Sequence, residues 1–458
     1  MLIRTRREFL QSSVRSVTAL GAMGMLAKFG EINAFAAVGQ SGYQALVCIF
    51  LAGGNDGHNT IIPIATAQQN YSLYQAGRQG LALAQGSLLN ISNGKDIYGV
   101  HPSMPEIQGL YNQGKLAVLA NVGNLVQPIN RDGYNTNNSA LVPSSLFSHS
   151  DQSSQWQSAI PNGIASSGWG GRITDLMQSQ NTGAVFPPIT STASCGLFCT
   201  GQQTFPATVP PPFSGSTGAT GMATLNGVQN APATAAGMQQ LLTFDNGLQL
   251  VQAGNGIATR ANNFANTLTG LLQTSNMKTQ FPSNPLAAQL QTVANVMSVR
   301  SQLGLTRQIF FCQLGGFDTH GQQLETQQVL LQQLSQAVLA FYKATQELGI
   351  DQSVTTFTAS EFGRTLTPSG NDGSDHAWGN HHFILGSGVQ GGQFYGAFPS
   401  LVLGCENDTN SRGTLIPTTS LSQYGSTLAQ WFGVPSANLP SVFPNIASFA
   451  TANLGFLG

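Results

Sequence analysis

The stretch that decides the fold is ALVCIFLAGGNDGHNT, residues 45–60. Residues 45–52 form an unbroken apolar run into Gly53-Gly54, the pattern of a parallel strand buried on both faces and closed by a tight turn. Asp56 and His58 follow that turn, so polar chemistry stands where the strand ends. The theme recurs downstream. Residues 116–121, 308–314 and 353–358 read as strands, and 106–113 as a short helix ahead of Gly114. Residues 322–348 read as a long helix whose leucines, valine and phenylalanine recur at three- and four-residue spacing. Further helices are predicted over 236–273, 286–303 and 419–431, with a short apolar run at 383–386. Strands alternating with helices define an α/β fold.

Only 8% of the residues are charged, yet Asp, Glu and His crowd into short glycine-rich runs. These are GGNDGHNT at 53–60, FDTH at 317–320, SEFGR at 360–364 and SDHAWGNHH at 374–382, which together hold five of the seven histidines. Three of the runs begin at or just past the carboxyl ends of predicted strands, where open α/β sheets place their sites. Such density points to metal or acid–base chemistry.

At the amino terminus, Thr5-Arg6-Arg7-Glu8-Phe9-Leu10 precedes a moderately apolar stretch at 17–29 and the small-residue sequence Ala34-Phe35-Ala36. Residues 1–36 therefore read as a twin-arginine export signal cleaved near Ala36. The expected partner is the twin-arginine export machinery, and the expected location is periplasmic or extracellular. Lys28 interrupts the apolar stretch, which falls short of the roughly 20 residues that span a bilayer, so no permanent membrane span is expected. Removing 1–36 takes five of the 17 basic and two of the 18 acidic residues and leaves a charge near −4. That balance offers nothing to nucleic acid or to an anionic membrane.

Residues 37–458 are long and apolar enough for one large domain. Residues 177–240, rich in Pro, Gly, Thr, Ser and Ala, read as an insertion lying on the surface outside the sheet. Cys195 and Cys199 fall within it and could form one local bridge in an exported protein, with Cys405 leaving the count odd.

The chemistry of the runs can be read directly. Mixed carboxylate and imidazole ligands suit one or two divalent ions, with Zn, Mn or Fe favoured over Mg. Arg364, three residues after Glu361, is placed either to hold an oxyanion bidentately or to form a structural salt bridge. In SLFSHSDQSSQW, residues 145–156, Ser148 stands where a helix could begin, as a nucleophile or a plain cap; His149 and Asp151 are the other chemical residues there. Thr60, four residues after Asp56, is a second hydroxyl candidate.

The same runs carry a resemblance. FLAGGNDGHNTIIP at 50–63, SLFSHSDQSSQW, GGFDTHGQQ at 315–323, TASEFGRT at 358–365 and SDHAWGNHHFILG at 374–386 resemble the domain of unknown function 1501 family of exported bacterial proteins. Through it the chain is similar to the alkaline phosphatase and sulfatase superfamily. The resemblance implies an α/β, alkaline-phosphatase-like three-layer sandwich with a central, mostly parallel sheet and divalent metal at its carboxyl edge. Carried over by position, Asp56 resembles the first-strand carboxylate ligand, Asp318 and His320 the pair that holds one ion, and Asp375 and His376 the Asp-His pair. The last histidine is His381 or His382, with His381 preferred, and Glu361 is the alternative strand-end ligand. The implied function is metal-dependent hydrolysis of phosphate or sulfate esters of a small molecule or glycan. The alternative is an exported binding or assembly protein that keeps the fold without turnover. No Cys-x-Pro-x-Arg sequence is present, which disfavours a formylglycine sulfatase.

Overall fold

The apolar run 45–52 lies in the middle of a nine-stranded sheet. The computed structural model describes residues 42–212, 232–244, 247–273 and 277–458, and Tyr43–Gly458 forms one compact unit. Its strands are β1 (Gln44–Ala52), β2 (Ile61–Ala65), β3 (Leu89–Ser92), β4 (Ile97–Val100), β5 (Leu116–Gly123), β6 (Ile189–Ser191), β7 (Ala207–Thr208), β8 (Arg307–Gly315), β9 (Val354–Ala359), β10 (Asn380–Leu385), β11 (Phe394–Tyr395) and β12 (Thr419–Ser420). The main sheet runs β11-β5-β10-β9-β1-β8-β6-β7, with β12 also pairing β5, while β2, β4 and β3 make a separate small sheet. Every pairing in the main sheet is parallel except those of β10, which runs antiparallel to β9 and β5.

Alternation along β1 shows why this is a three-layer sandwich. Ala45, Val47, Ile49 and Leu51 face one apolar layer, shared with α1 (Pro105–Asn112), α4 (Pro285–Ser298) and α5 (Gln323–Glu347). Leu46, Cys48 and Phe50 face the other, shared with α2 (His149–Ser158), α3 (Trp169–Leu176) and α6 (Leu421–Phe432). Because both faces of the strand are buried, its sequence has no polar alternation, and each fully buried Ile, Leu or Phe contributes about 1.5–3 kcal/mol. The fold is thus the predicted α/β sandwich around a mostly parallel sheet.

Two expectations are corrected. Residues 177–240 do not lie wholly outside the sheet: β6 pairs in parallel with β8, β7 pairs with β6, and Ile189 is fully buried. The glycines and prolines flank these strands instead of occupying them, and Ile189-Thr190-Ser191-Thr192 supplies β-branched residues short enough for a sheet margin. Phe198 and Cys199 also enter the core. Cys195 and Cys199 are free thiols, not the anticipated bridge. Residues 213–231 and the segment 1–36, expected from the sequence to be an export signal, lie outside the described residues. Among those described, no helix is long and apolar enough to cross a membrane.

The register brings the chemical runs to one edge. Ala52 pairs with Gly315 and Phe50 with Ala359, so the chain leaves β1, β8 and β9 side by side; antiparallel β10 begins at that same edge. Gly53, at φ +119°, lets the first turn pass against the second: a Cβ there would stand 2.3 Å from the Asp318 nitrogen. No other residue type fits that position.

Candidate metal centre

Asp318 and His320 leave the end of β8, His376 lies in the loop before β10, and His149 is the first residue of α2. Their functional atoms meet. His149 Nε2 is 3.0 Å from His376 Nε2, which is 2.9 Å from His320 Nε2. Asp318 Oδ1 stands 3.4 Å from His149 Nε2, 3.1 Å from His320 Nε2 and 3.3 Å from His376 Nε2. The ligand atoms of His149, Asp318 and His376 all lie within 4.8 Å of one another, a group that could hold a metal ion.

The second nitrogen of each ring explains the orientation. His149 Nδ1 donates to Glu361 Oε1 at 2.9 Å, and His376 Nδ1 donates to the Phe147 carbonyl at 2.8 Å. His320 Nδ1 faces Asp375 Oδ1 at 3.5 Å. A proton on Nδ1 leaves the Nε2 lone pair facing the shared point, the arrangement that metal-binding histidines require. Lone pairs facing each other and a carboxylate repel unless a cation lies between them. Their separations are also near the roughly 3.3 Å expected between neighbouring ligands in a tetrahedral site with bonds of about 2.0–2.1 Å. The donor set therefore fits a divalent transition metal.

Local sequence builds each part. Ser148 caps α2, with Asp151 N directed at its side chain, so the helix begins with His149 at the site. Phe147 has φ +71° and Ser145 φ +52°, left-handed conformations uncommon for such residues, and the turn aims the Phe147 carbonyl at His376. Glu361 is 3% exposed and also accepts Gly53 N at 2.8 Å, so its carboxylate is fixed before it meets His149. The hydrogen bond to Glu361 raises the His149 pKa. Burial lowers that of His376, which favours its neutral, ligating form. For Asp318, desolvation is outweighed by the hydrogen bond and charge of Arg364, and its carboxyl stays below the usual range.

Several predicted residues occupy other roles. Asp56 is buried away from the cluster: it accepts His58 N, pairs with Arg78 and bonds Gln323, closing the first turn. Burial pushes its pKa up, against the pull of Arg78 and Arg364. Thr60 is also buried and donates to Asp56 O at 2.7 Å. His381 faces inward because β10 alternates there; its Nδ1 accepts Asn121 N at 3.1 Å and its ring stacks on Phe398. His382 packs against Trp156 and Tyr424, so neither of the paired histidines reaches the cluster. Glu361 and Asp375 contact the imidazoles and not their shared point. Arg364 is 1% exposed and donates to the carbonyls of Gly53, Gly54, Phe317 and Ser374 as well as to Asp318, which leaves it to tie the turns together instead of holding a substrate. His149, ranked behind Ser148 in the sequence, is central; its signal was a histidine immediately after a helix-capping serine.

Residues 43–429 match the family described as "Protein of unknown function (DUF1501)", and the chain belongs to that family. No curated protein matches the sequence. Among solved structures, it is similar to the lipoteichoic acid synthase LtaP from Listeria monocytogenes, at 8% identity over 89% of this chain and 78% of that one, with a TM-score of 0.33. It is similar to the C-terminal periplasmic domain of EcEptC from Escherichia coli in complex with Zn, at 10% identity over 86% and 84%, with a TM-score of 0.35. It is similar also to the PsFucS1 sulfatase from Pseudoalteromonas sp., at 10% identity over 89% and 71%, with a TM-score of 0.34. These likenesses are distant.

Proposed function

We propose that this protein is a metal-dependent enzyme of the cell envelope that hydrolyses or transfers phosphate or sulfate esters. The convergence of three Nε2 atoms on Asp318 Oδ1, with the Nδ1 of His149 and of His376 donating to an acceptor, carries the reading. His149, His320, His376 and Asp318 would hold one divalent ion, and their imidazole-rich set favours Zn, Mn or Fe over Mg. Such an ion supplies Lewis-acid chemistry, drawing charge from the oxygens of a phosphoryl or sulfuryl group.

The chain's own residues supply the rest. Ser148 Oγ donates to Asp151 Oδ2 at 2.5 Å, so a carboxylate is in place to take its proton. Ser148 adjoins His149 and caps α2, where the helix dipole favours developing negative charge. Glu361 and the Phe147 carbonyl keep the imidazoles oriented, and Arg364 keeps Asp318 ionised. The export signal read at 1–36 would place this chemistry outside the cytoplasm.

Metal analysis of untagged protein, with a screen of p-nitrophenyl phosphate, its diester and p-nitrophenyl sulfate, tests the proposal. About one equivalent of metal and turnover of one ester are expected. Protein that takes up no Zn, Mn or Fe would defeat it. A binding protein with a structural metal is the second reading, favoured by exposed Leu241, Phe244, Leu248, Leu250 and Ile257 on and between the helices Pro232–Thr243 and Gln249–Leu272. Bound metal without turnover of any ester would select it.

A further inference from the structure

We propose that Arg412 recognises the negative charge of the incoming ester, exchanging its partner Asp375 for the ligand's oxygens. The inference rests on the metal-centre reading and adds the residue that selects an anion there. Three guanidinium–carboxylate pairs occur among the described residues, those of Arg78 with Asp56, Arg364 with Asp318 and Arg412 with Asp375. The first two guanidinium groups are fully buried, whereas the Arg412 side chain is 42% exposed and Asp375 38%. A half-exposed pair opens at little cost. An arginine fork matches two oxygens of a phosphoryl or sulfuryl group.

The backbone under Arg412 is fixed even though its side chain is accessible. Its carbonyl accepts both Thr367 N at 3.0 Å and Thr367 Oγ1 at 3.1 Å. Buried Asp408 accepts the backbone N–H groups of Gly404, Asn410, Gly413 and Thr414, which holds the whole 404–414 loop. A mobile head on a rigid base suits a group that must leave one partner for another.

Asp375 connects this exchange to the centre. Its Oδ2 lies 2.7 Å from Arg412 Nη2, while its Oδ1 stands 3.5 Å from His320 Nδ1, beyond a normal hydrogen bond. With Arg412 on an anion, Asp375 is released to close on His320 Nδ1 and strengthen that ring as a ligand. Anion and metal should then bind cooperatively, each raising the other's affinity by the same factor.

Calorimetric titration of inorganic phosphate, with sulfate in a parallel arm, into the manganese-loaded full chain tests this. Arg412→Gln should bind phosphate at least tenfold more weakly at unchanged manganese content. Arg412→Lys should fall between, keeping the charge but losing the fork. Phosphate should also raise manganese affinity in the parent more than in Arg412→Gln. Equal phosphate affinity in parent and Arg412→Gln, or a parent that holds manganese but no phosphate, overturns the role of Arg412. If the parent holds no manganese, the titration is repeated on the zinc-loaded chain; if it holds none of Zn, Mn or Fe, the metal reading fails on its own, and the same comparison on metal-free protein still decides whether Arg412 binds the anion.

Discussion

The Nε2 atoms of His149 and His376 lie 3.0 Å apart, although one residue opens a helix and the other belongs to the loop before β10. Two imidazoles so close are not held by packing alone, since each ring is steered by a bond to its far nitrogen. The nearest consequence is for metal content. His149→Ala and His376→Ala should each lose most bound metal, whereas His381→Asn, altering a residue turned into the core, should keep it. Plasma emission spectroscopy on the three purified variants decides; metal retained in His376→Ala would remove that ring from the centre.

Glu361 should tune the centre without belonging to it. Glu361→Gln keeps the acceptor oxygen but removes the charge behind His149, so metal affinity should fall about 10- to 100-fold, the usual cost of losing such a partner. Competition with a chromogenic chelator measures this. Unchanged affinity would mean that Glu361 serves only the Gly53 turn.

Ser148 and Asp151 separate chemistry from capping. Loss of a helix cap costs about 1 kcal/mol, but loss of a nucleophile removes turnover. Ser148→Ala should therefore fold and bind metal while losing at least 100-fold in kcat on whichever ester the parent cleaves, and Asp151→Asn should lose kcat with little change in KM. Full activity in Ser148→Ala would transfer the attack to water.

The sheet was legible because its strands are buried on both faces: residues 45–52 and 308–314 carry their own signal, and the helix at 322–348 declares its period. The edge position of Asp318, His320 and His376 followed from that. What the sequence could not show was direction. Asp56 follows a strand end as Asp318 does, yet Arg78 and Gln323 turn it inward. His381 and His382 look like ligands until β10 begins at Asn380 and carries both into the core. The weight of His149 depended on contacts with Glu361 and His376, each more than 200 residues away in the chain, and no local pattern encodes them. The strand at 189–191 was hidden by the composition of its flanks.

Asp56 should matter for stability instead. Removing it leaves the buried Arg78 without its only carboxylate partner among the described residues and takes the Asp56 oxygens from Gln323 Nε2 and His58 N, which costs about 3–5 kcal/mol when a buried charge loses its partner. Asp56→Ala should lower the unfolding free energy measured by urea titration by that amount, moving the midpoint down accordingly, while the folded fraction still binds metal. A stable variant without metal would instead place Asp56 at the centre.

Acid should unfold the protein through its inward histidines. Burial lowers the pKa of His58, His381 and His382 to about 3 each, and of His101 to about 4. In the unfolded chain each titrates near 6.5, so between that value and the folded one the unfolded state binds more protons. The sign follows: the stability these groups give is whole above pH 6.5 and is lost as pH falls, by up to about 1.4 kcal/mol per pH unit for each ring. With three or four rings acting together, the protein should lose its fold well before pH 4. Unfolding at pH 5 should take up roughly three to four protons, and His382→Phe, which keeps an aromatic ring between Trp156 and Tyr424, should reduce that uptake by about one. Melting temperatures and calorimetric proton uptake from pH 7.5 to 4.5 test this; a stability flat across the window would show that these histidines are not held neutral.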